Sequence, residues 1–177
     1  MGYSFYEGTV PHFKGALASL NSILKKAEEY AAEKSIATED ILSWRLADDM
    51  LPFSFQAYMV IDTTRKLLAR VNGEEPVALD KDSFNSFAAI YNYIAETEKA
   101  LATADPAVFE ARSDVTVTIG MGQGNSIEAP AKGWAALYGL PNVFFHLTTA
   151  YAILRNKGVP LGKRDYVGAF VAPWISA

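Results

Sequence analysis

The interpretation of the fold begins with residues 141–168, which read PNVFFHLTTAYAILRNKGVPLGKRDYVG. Pro141 suits the first turn of a helix, where a missing backbone N–H costs nothing, and Gly158 followed by Pro160 is a strong stop signal. Apolar residues between these signals cover more than one stripe, so the helix is expected to be buried on several sides. The stretch predicts one helix of about five turns that carries His146, whose imidazole then needs a polar partner.

Two further long helices are predicted upstream. The first runs from about Val10 to Ala32, because apolar residues recur at the alternating spacing of four and three that is typical of a bundle helix. A short helix begins at Thr38 and is interrupted near Pro52, since proline removes a backbone donor and disfavours helix just before it. The second long helix then runs from Phe53 to a stop at Gly73.

A third long helix follows a connector that is rich in turn residues. Asp82 or Ser83 could cap its first turn, and Asp105 with Pro106 would end it. Between residues 113 and 129 the apolar period changes to two and three glycines follow, which predicts a small β-hairpin. The GMGQGN segment at 120–125 is interpreted as the hairpin turn, because it lacks the lysine and the Ser/Thr of a phosphate-binding loop.

The segments AYAILR, at 150–155, and GVPLGKRD, at 158–165, carry a family resemblance. They closely resemble the last helix of the DinB/YfiT-like superfamily, and specifically a DinB-like family of unknown function. The resemblance implies an all-α fold, a DinB-like four-helix bundle with a small β-hairpin between helices three and four. Residues 1–177 are expected to form a single domain of this kind, a length that suits one compact core.

Composition and charge exclude several classes of partner. The net charge is −4, no Lys/Arg cluster occurs, and the hydrophobic content of 50% is that of a globular protein. Neither nucleic acid nor an anionic membrane is therefore expected as a partner. The chain contains no cysteine, no basic and apolar leader and no apolar run of 18 residues, so a cytoplasmic protein is expected.

The resemblance also implies a divalent metal bound by one histidine on helix two and two histidines, four residues apart, on helix four. In this chain Asn142 and His146 stand at the two helix-four positions, and Gln56 is the counterpart on helix two, with Asp49 as a rival. Neutral amide oxygens are poor ligands for zinc or nickel. We therefore expect no tightly bound transition metal and no other cofactor.

A polar site without a metal remains conceivable in such a bundle. His146 could act as a general acid or base near neutral pH, with Asp49 or Asp48 orienting its ring. Gln56 and Asn142 would offer hydrogen bonds to a ligand, or else form a self-satisfied buried network with His146. Four aromatic residues could line an apolar pocket or simply belong to the core, namely Phe53, Trp134, Tyr138 and Phe145.

The function predicted from these residues is the binding of a small, mainly apolar organic molecule, together with metal-independent chemistry at His146. The alternatives are a metal-dependent transferase or hydrolase of the DinB-like kind and a structural protein without a pocket. Residues 162–168 are interpreted as a salt-bridged loop. The apolar tail at 169–177 should pack on its own bundle or on a second copy, and it predicts a homodimer.

Overall fold

The first long helix confirms its sequence signals. In the computed structural model, which describes residues 3–122 and 124–175, α1 spans Val10–Lys34. Pro11 lies in its first turn, and Ser35 ends it in the left-handed conformation with φ of 55°. Apolar side chains at the predicted spacing are fully buried, among them Phe13, Leu17 and Leu24. This face of α1 forms one side of the core.

The predicted break before the second long helix is present. The short helix α2 spans Thr38–Ser43, and α3 spans Phe53–Asn72, with Pro52 just before its first residue. Gly73 ends α3 with φ of 79°, a left-handed conformation that glycine adopts without strain.

The third long helix begins later than predicted. Asp82 and Ser83 lie in a 3-10 turn, Lys81–Ser83, and α4 spans Phe87–Ala102 with Ser86 as its cap. The prediction of Asp82 or Ser83 as the cap was wrong, because the Asp80 side chain binds the Asp82 N–H and closes a separate turn first. Asp105 likewise caps a new short helix, α5, Pro106–Ala111, three residues beyond the end of α4.

The β-hairpin is confirmed. Strand β1, Thr116–Gly122, pairs antiparallel with β2, Asn125–Pro130, and Gly124 supplies the positive φ of 78° that the turn requires. Val117 and Ile119 of β1 are buried. The hairpin therefore covers one side of the bundle with the inner face of β1.

The last long helix begins ten residues before Pro141. It opens as α6, Ala131–Trp134, passes through a π-helical segment, Ala135–Gly139, and continues as α7, Leu140–Asn156. Pro141 therefore lies inside a continuous helix. Because proline cannot donate an N–H and crowds the turn before it, the helix continues only through a local change of geometry. The stop is as predicted, with Gly158 at φ of 97°.

The segment after Gly162 is a helix, and its interpretation as a loop was wrong. This helix, α8, spans Lys163–Ile175. The Asp165 carboxylate accepts the Gly162 N–H at 2.7 Å and pairs with Lys26 of α1 at 3.0 Å, which stabilises the first turn. The helix lies so close to α1 that a Cβ at Gly15 would be 2.3 Å from the Phe170 ring.

The four long helices form a four-helix bundle, as predicted. The helices α1 and α3 are opposite each other, and each packs against both α4 and α7. Their buried apolar side chains form one core, onto which α8 adds a layer outside α1. In the part of the chain that the structure describes, no helix has the length and apolar character needed to cross a membrane.

Candidate functional site

Two polar pairs join α3 to α7, one near each end of their antiparallel contact. His146 Nδ1 lies 2.7 Å from Gln56 Oε1, and Gln56 Nε2 donates to the Leu51 carbonyl at 2.9 Å. In the second pair, Asn142 Nδ2 donates to Thr63 Oγ1 at 3.1 Å. The structure thus brings Gln56 together with His146 and places Asn142 at a different partner.

The hydrogen bonds fix the tautomer of His146. Because Gln56 uses its amide nitrogen for the Leu51 carbonyl, its oxygen faces the imidazole and must accept a proton from Nδ1. The proton therefore resides on Nδ1, and Nε2 keeps its lone pair. No hydrogen bond to Nε2 is found within residues 3–122 and 124–175.

Burial dominates the electrostatics of this imidazole. The rings of Phe55 and Phe145 lie edge-on to it, with centroid distances of 6.1 and 5.2 Å. Burial lowers the pKa of His146 from its ordinary 6.5 to about 4, since the partly buried ring is less well solvated as a cation. His146 is consequently neutral near pH 7, where it offers an acceptor at Nε2 and no proton to donate from that atom.

Asp49 is not paired with His146 in the structure. It lies exposed in the segment between α2 and α3, as does Asp48, and no hydrogen bond between either carboxylate and the imidazole is found in the described chain. The expectation that one of them orients the ring was wrong. The reason is that both acids precede Pro52 and therefore lie outside α3, whereas Gln56 is one turn inside it.

The residues at the family's metal positions do not fit a transition metal. His146 offers one nitrogen, the Gln56 oxygen already accepts a hydrogen bond within the protein, and Asn142 offers only a neutral amide oxygen. Among the described residues, no three His, Cys, Asp or Glu side chains are grouped closely enough to hold an ion. A single imidazole with amide partners is a poor set for zinc or nickel.

A cavity of about 340 Å³ lies beside the second pair, between α3, the connector after it, β1 and the start of the last helix. Its walls include three of the predicted ligand-binding residues, Asn142, Trp134 and Tyr138. Gln56 and His146 are not among the residues that line it. The site predicted as one unit is thus divided into a closed polar pair and a separate cavity.

Two aromatic residues of the prediction do not line the cavity. Phe53 is fully buried in the core, where its ring lies 6.4 Å from that of Phe87. Phe145 is 59% exposed and lies on the outer side of α7. Because Phe145 directly precedes His146 on the helix, the inward position of the histidine turns the phenylalanine outward.

Charged residues of the cavity wall were missed by the sequence interpretation. Asp62 is buried, pairs with Lys66 at 2.6 Å and accepts the Leu79 N–H at 3.0 Å. Burial, together with the Asp62 carboxylate, raises the pKa of Tyr58. The signal was present in the sequence, since Asp62, Lys66 and Arg70 follow one another at intervals of four and share one helix face.

Arg70 is the least compensated of these charges. Its Cζ lies 4.8 Å above the Trp134 ring, and its Nε donates to the Thr118 carbonyl at 3.3 Å. No ion pair of Arg70 is found among the described residues. Burial lowers its pKa, partly opposed by the more distant Asp62 and Glu75. Trp134 Nε1 is also buried without a hydrogen-bond partner.

Comparison with known proteins agrees with this fold. The sequence profile of a family described as a domain of unknown function (DUF1993) matches residues 5–167. The chain is also similar to a crystal structure of a DinB family member protein from Shewanella denitrificans. The two share 33% sequence identity over 92% of this chain and 91% of that one, with a TM-score of 0.79. Among curated proteins, no match to the chain is found.

Proposed function

The chain belongs to the DUF1993 family, whose domains have no known function, and from its own geometry we propose that it binds a small organic molecule in the cavity beside Asn142. The observation that carries this proposal is the cavity itself, because its wall combines the aromatic rings of Trp134 and Tyr138 with the polar side chain of Asn142. An apolar cavity with a few convergent polar groups is the usual form of a small-molecule site.

The size and the walls of the cavity limit the ligand. A volume of about 340 Å³ is at the small end of the range for organic ligands. Tyr58, Trp134 and Tyr138 supply aromatic surface, while Asn142 and the charged residues of α3 supply polar contacts. The predicted ligand was mainly apolar; the charged wall supports a ligand with an aromatic or unsaturated body and a polar end.

The proposal places binding, rather than chemistry at His146, at the centre of the function. The imidazole is held by Gln56 and its pKa of about 4 leaves it neutral near pH 7, so it is a weak base there. Metal-independent catalysis would need a substrate at the bare Nε2. The donor set described above does not support the metal-dependent alternative.

The test is a fragment screen by two-dimensional NMR that follows the indole N–H resonances of the full chain. Trp134→Phe assigns the Trp134 signal, and compounds that occupy the cavity are expected to shift it in a saturable way. Ala78 is an exposed residue that lines the cavity, so Ala78→Leu should narrow the cavity and weaken binding.

Ala88→Leu is the matched control, because Ala88 is also an exposed alanine and lies on α4, outside the cavity. Binding should persist in this variant. The proposal fails if no fragment shifts the Trp134 signal, or if both leucine variants affect binding equally.

A second proposal concerns assembly: the chain forms a homodimer through the groove between α1 and α8. This groove, of about 880 Å³, is lined by apolar side chains that include Tyr6, Val10, Phe170 and Trp174. Trp174 is 79% exposed at the end of α8, and large exposed apolar surfaces often mark interfaces. A second copy of the chain can cover both the groove and this tail.

The oligomeric state decides this second proposal. Sedimentation of the wild-type protein should give the mass of a dimer, and Trp174→Glu should give that of a monomer. Leu137→Glu, which changes an equally exposed side chain on another segment, should leave the dimer intact. A wild-type monomer at high micromolar concentration contradicts the proposal.

A further inference from the structure

Arg70 is a half-buried cation without an ion-pair partner among the described residues. Its side chain is half-buried between Trp134 and the hairpin, and its two hydrogen bonds go to the Thr118 and Lys66 carbonyls at 3.3 and 3.4 Å. Both distances exceed the usual range for N–H···O bonds. A buried charge is costly unless it is paired, so this arrangement is incomplete.

The unused donors of Arg70 form a geometrically defined set. A guanidinium has five N–H groups, of which Nε and Nη1 each use one in the bonds above. No hydrogen bond of Nη2 is found in residues 3–122 and 124–175. The planar fork between Nη1 and Nη2 has the shape that binds a carboxylate or a phosphate through two parallel hydrogen bonds.

The cavity around Arg70 also has positive charge in excess. Lys66 and Arg70 line it on the same face of α3, and Asp62 is the carboxylate among the described lining residues. Asp62 is already engaged by Lys66 at 2.6 Å and by the Leu79 N–H. Glu75 acts on Arg70 only from beyond ion-pair distance. The charges of Asp62 and Lys66 thus satisfy each other within the protein. Arg70 is left as the lining charge without an ion-pair partner among the described residues.

Trp134 supplies the surface beneath this cation. Its side chain lines the cavity, and Arg70 Cζ lies 4.8 Å from the centroid of its ring. The indole Nε1 is inaccessible to solvent, so Trp134 contributes its ring rather than a donor to the cavity. This cation–π contact restrains the guanidinium and leaves the Nη donors of Arg70 available to a ligand.

We propose that the cavity binds an organic anion, a carboxylate or a phosphate monoester on a small aromatic or unsaturated body, with the anionic group held by Arg70. The proposal rests on the proposed function and names the ligand class for the same cavity. The aromatic walls, which include the ring of Trp134, take the body of the ligand, and the free fork of Arg70 binds its charge.

The experiment titrates the isotope-labelled full chain with three probes that share a ring: benzoate, phenyl phosphate and the neutral benzamide. Ionic strength is held constant, and concentrations extend to tens of millimolar. At least one of the two anions should shift the Trp134 indole signal saturably, and benzamide should bind about tenfold more weakly or not at all. Whichever anion binds more tightly identifies carboxylate or phosphate as the preferred group.

Variants of Arg70 test whether its guanidinium recognises the charge of the ligand. Arg70→Met should abolish the preference for the anion, and Arg70→Lys should restore it only in part, because lysine keeps the charge but lacks the planar fork. Arg65→Met is the matched control on the same helix, since Arg65 pairs with Glu96 at 3.4 Å outside the cavity. Melting curves of all three variants verify that they are folded.

The outcomes separate this inference from the proposed function. If benzamide and the anions bind equally, or if Arg70→Met binds the anions as the wild type does, the inference is overturned while binding in the cavity stands. If none of the probes shifts the Trp134 signal, the inference is overturned as well. The proposed function itself fails only when the wider fragment screen also gives no cavity ligand.

Discussion

The two ends of α3 differ in what satisfies their polar groups. In the first turns of α3, Gln56 accepts from His146 and donates to a backbone carbonyl, so the protein supplies these partners itself. In the last turn, Arg70 borders a cavity with donors that remain unused. We call the Gln56–His146 region the closed end and the Arg70 region the open end. The family resemblance points to the closed end, whereas the hydrogen-bond donors without partners lie at the open end.

The difference teaches that a buried histidine is not by itself a functional site. The His146 pair behaves as a structural network, because each polar group in it that is deeply buried has a partner. The Arg70 end carries costs that folding alone does not explain. Four variants or conditions test this contrast, taken from the largest expected effect to the smallest.

The largest effect is expected at Asp62, which links the open end to the bundle. Asp62→Ala removes the acceptor of the Leu79 N–H and the partner of Lys66, and should lower the free energy of unfolding by about 3 kcal/mol. Asp62→Asn, which keeps an oxygen for Leu79, should cost less. Urea unfolding at pH 7 measures both, and equal losses would contradict a structural role for the hydrogen bond to Leu79.

Acid should destabilise the closed end. The pKa of His146 is about 4 in the folded chain and 6.5 in its ordinary state, so the unfolded chain binds the proton more readily between these values. Stability is therefore fully present above about pH 6.5 and is lost as the pH falls toward 4. The loss should be about 2 kcal/mol, below the full value of the shift because the ring keeps some contact with water.

His146→Phe isolates this contribution from that of the carboxylates. As the pH falls from 6.5 to 4, the wild type should lose more unfolding free energy than this variant, because the variant has no imidazole at residue 146 to protonate. An NMR titration of the imidazole gives the pKa directly. A value near 6.5 would remove the contrast between the two ends.

Removing Gln56 should expose the dependence of the closed pair on its partner. Gln56→Leu leaves the His146 Nδ1–H buried without an acceptor and should cost about 1.5 kcal/mol. The double variant Gln56→Leu/His146→Phe should recover part of that loss, because neither residue then needs a partner. Additive losses in urea unfolding would argue that the two side chains do not act as a pair.

The smallest effect on stability is expected at the open end. Arg70→Met removes a half-buried cation that has no ion pair among the described residues, so its loss of hydrogen bonds is offset by relief of desolvation. The free energy of unfolding should change by less than about 1 kcal/mol in the absence of a ligand. A loss as large as that of Asp62→Ala would assign Arg70 to the framework instead of to a ligand.

Much of the fold could be predicted because its signals are local. The stops at Gly73 and Gly158, the break before Phe53 and the hairpin around Gly124 depend on backbone conformations that a few residues dictate. Errors arose where two local signals competed, as at Asp80 and Ser86, or where proline was taken as a helix start although the helix accommodates Pro141 through a π-helical segment.

The site was less predictable, because it depends on contacts between distant residues. The sequence nominated Gln56 and Asn142 as polar site residues, and both lie between α3 and α7, but it offered no means to exclude Asp49. The sequence interpretation also missed Arg70, because its environment is created only when β1 and Trp134 pack around it. Burial by distant elements, and the pKa changes that follow from it, are properties of packing.

By itself, then, the sequence determined the family resemblance, the helical bundle with its hairpin and the residue types at the positions where the resemblance implies metal ligands. Only the tertiary structure decided that His146 pairs with Gln56, that Asp62 is engaged by Lys66, and that Arg70 is left beside a cavity. The physical reason is that helix ends and turns depend on neighbours in the chain, whereas desolvation and hydrogen-bond satisfaction depend on neighbours in space.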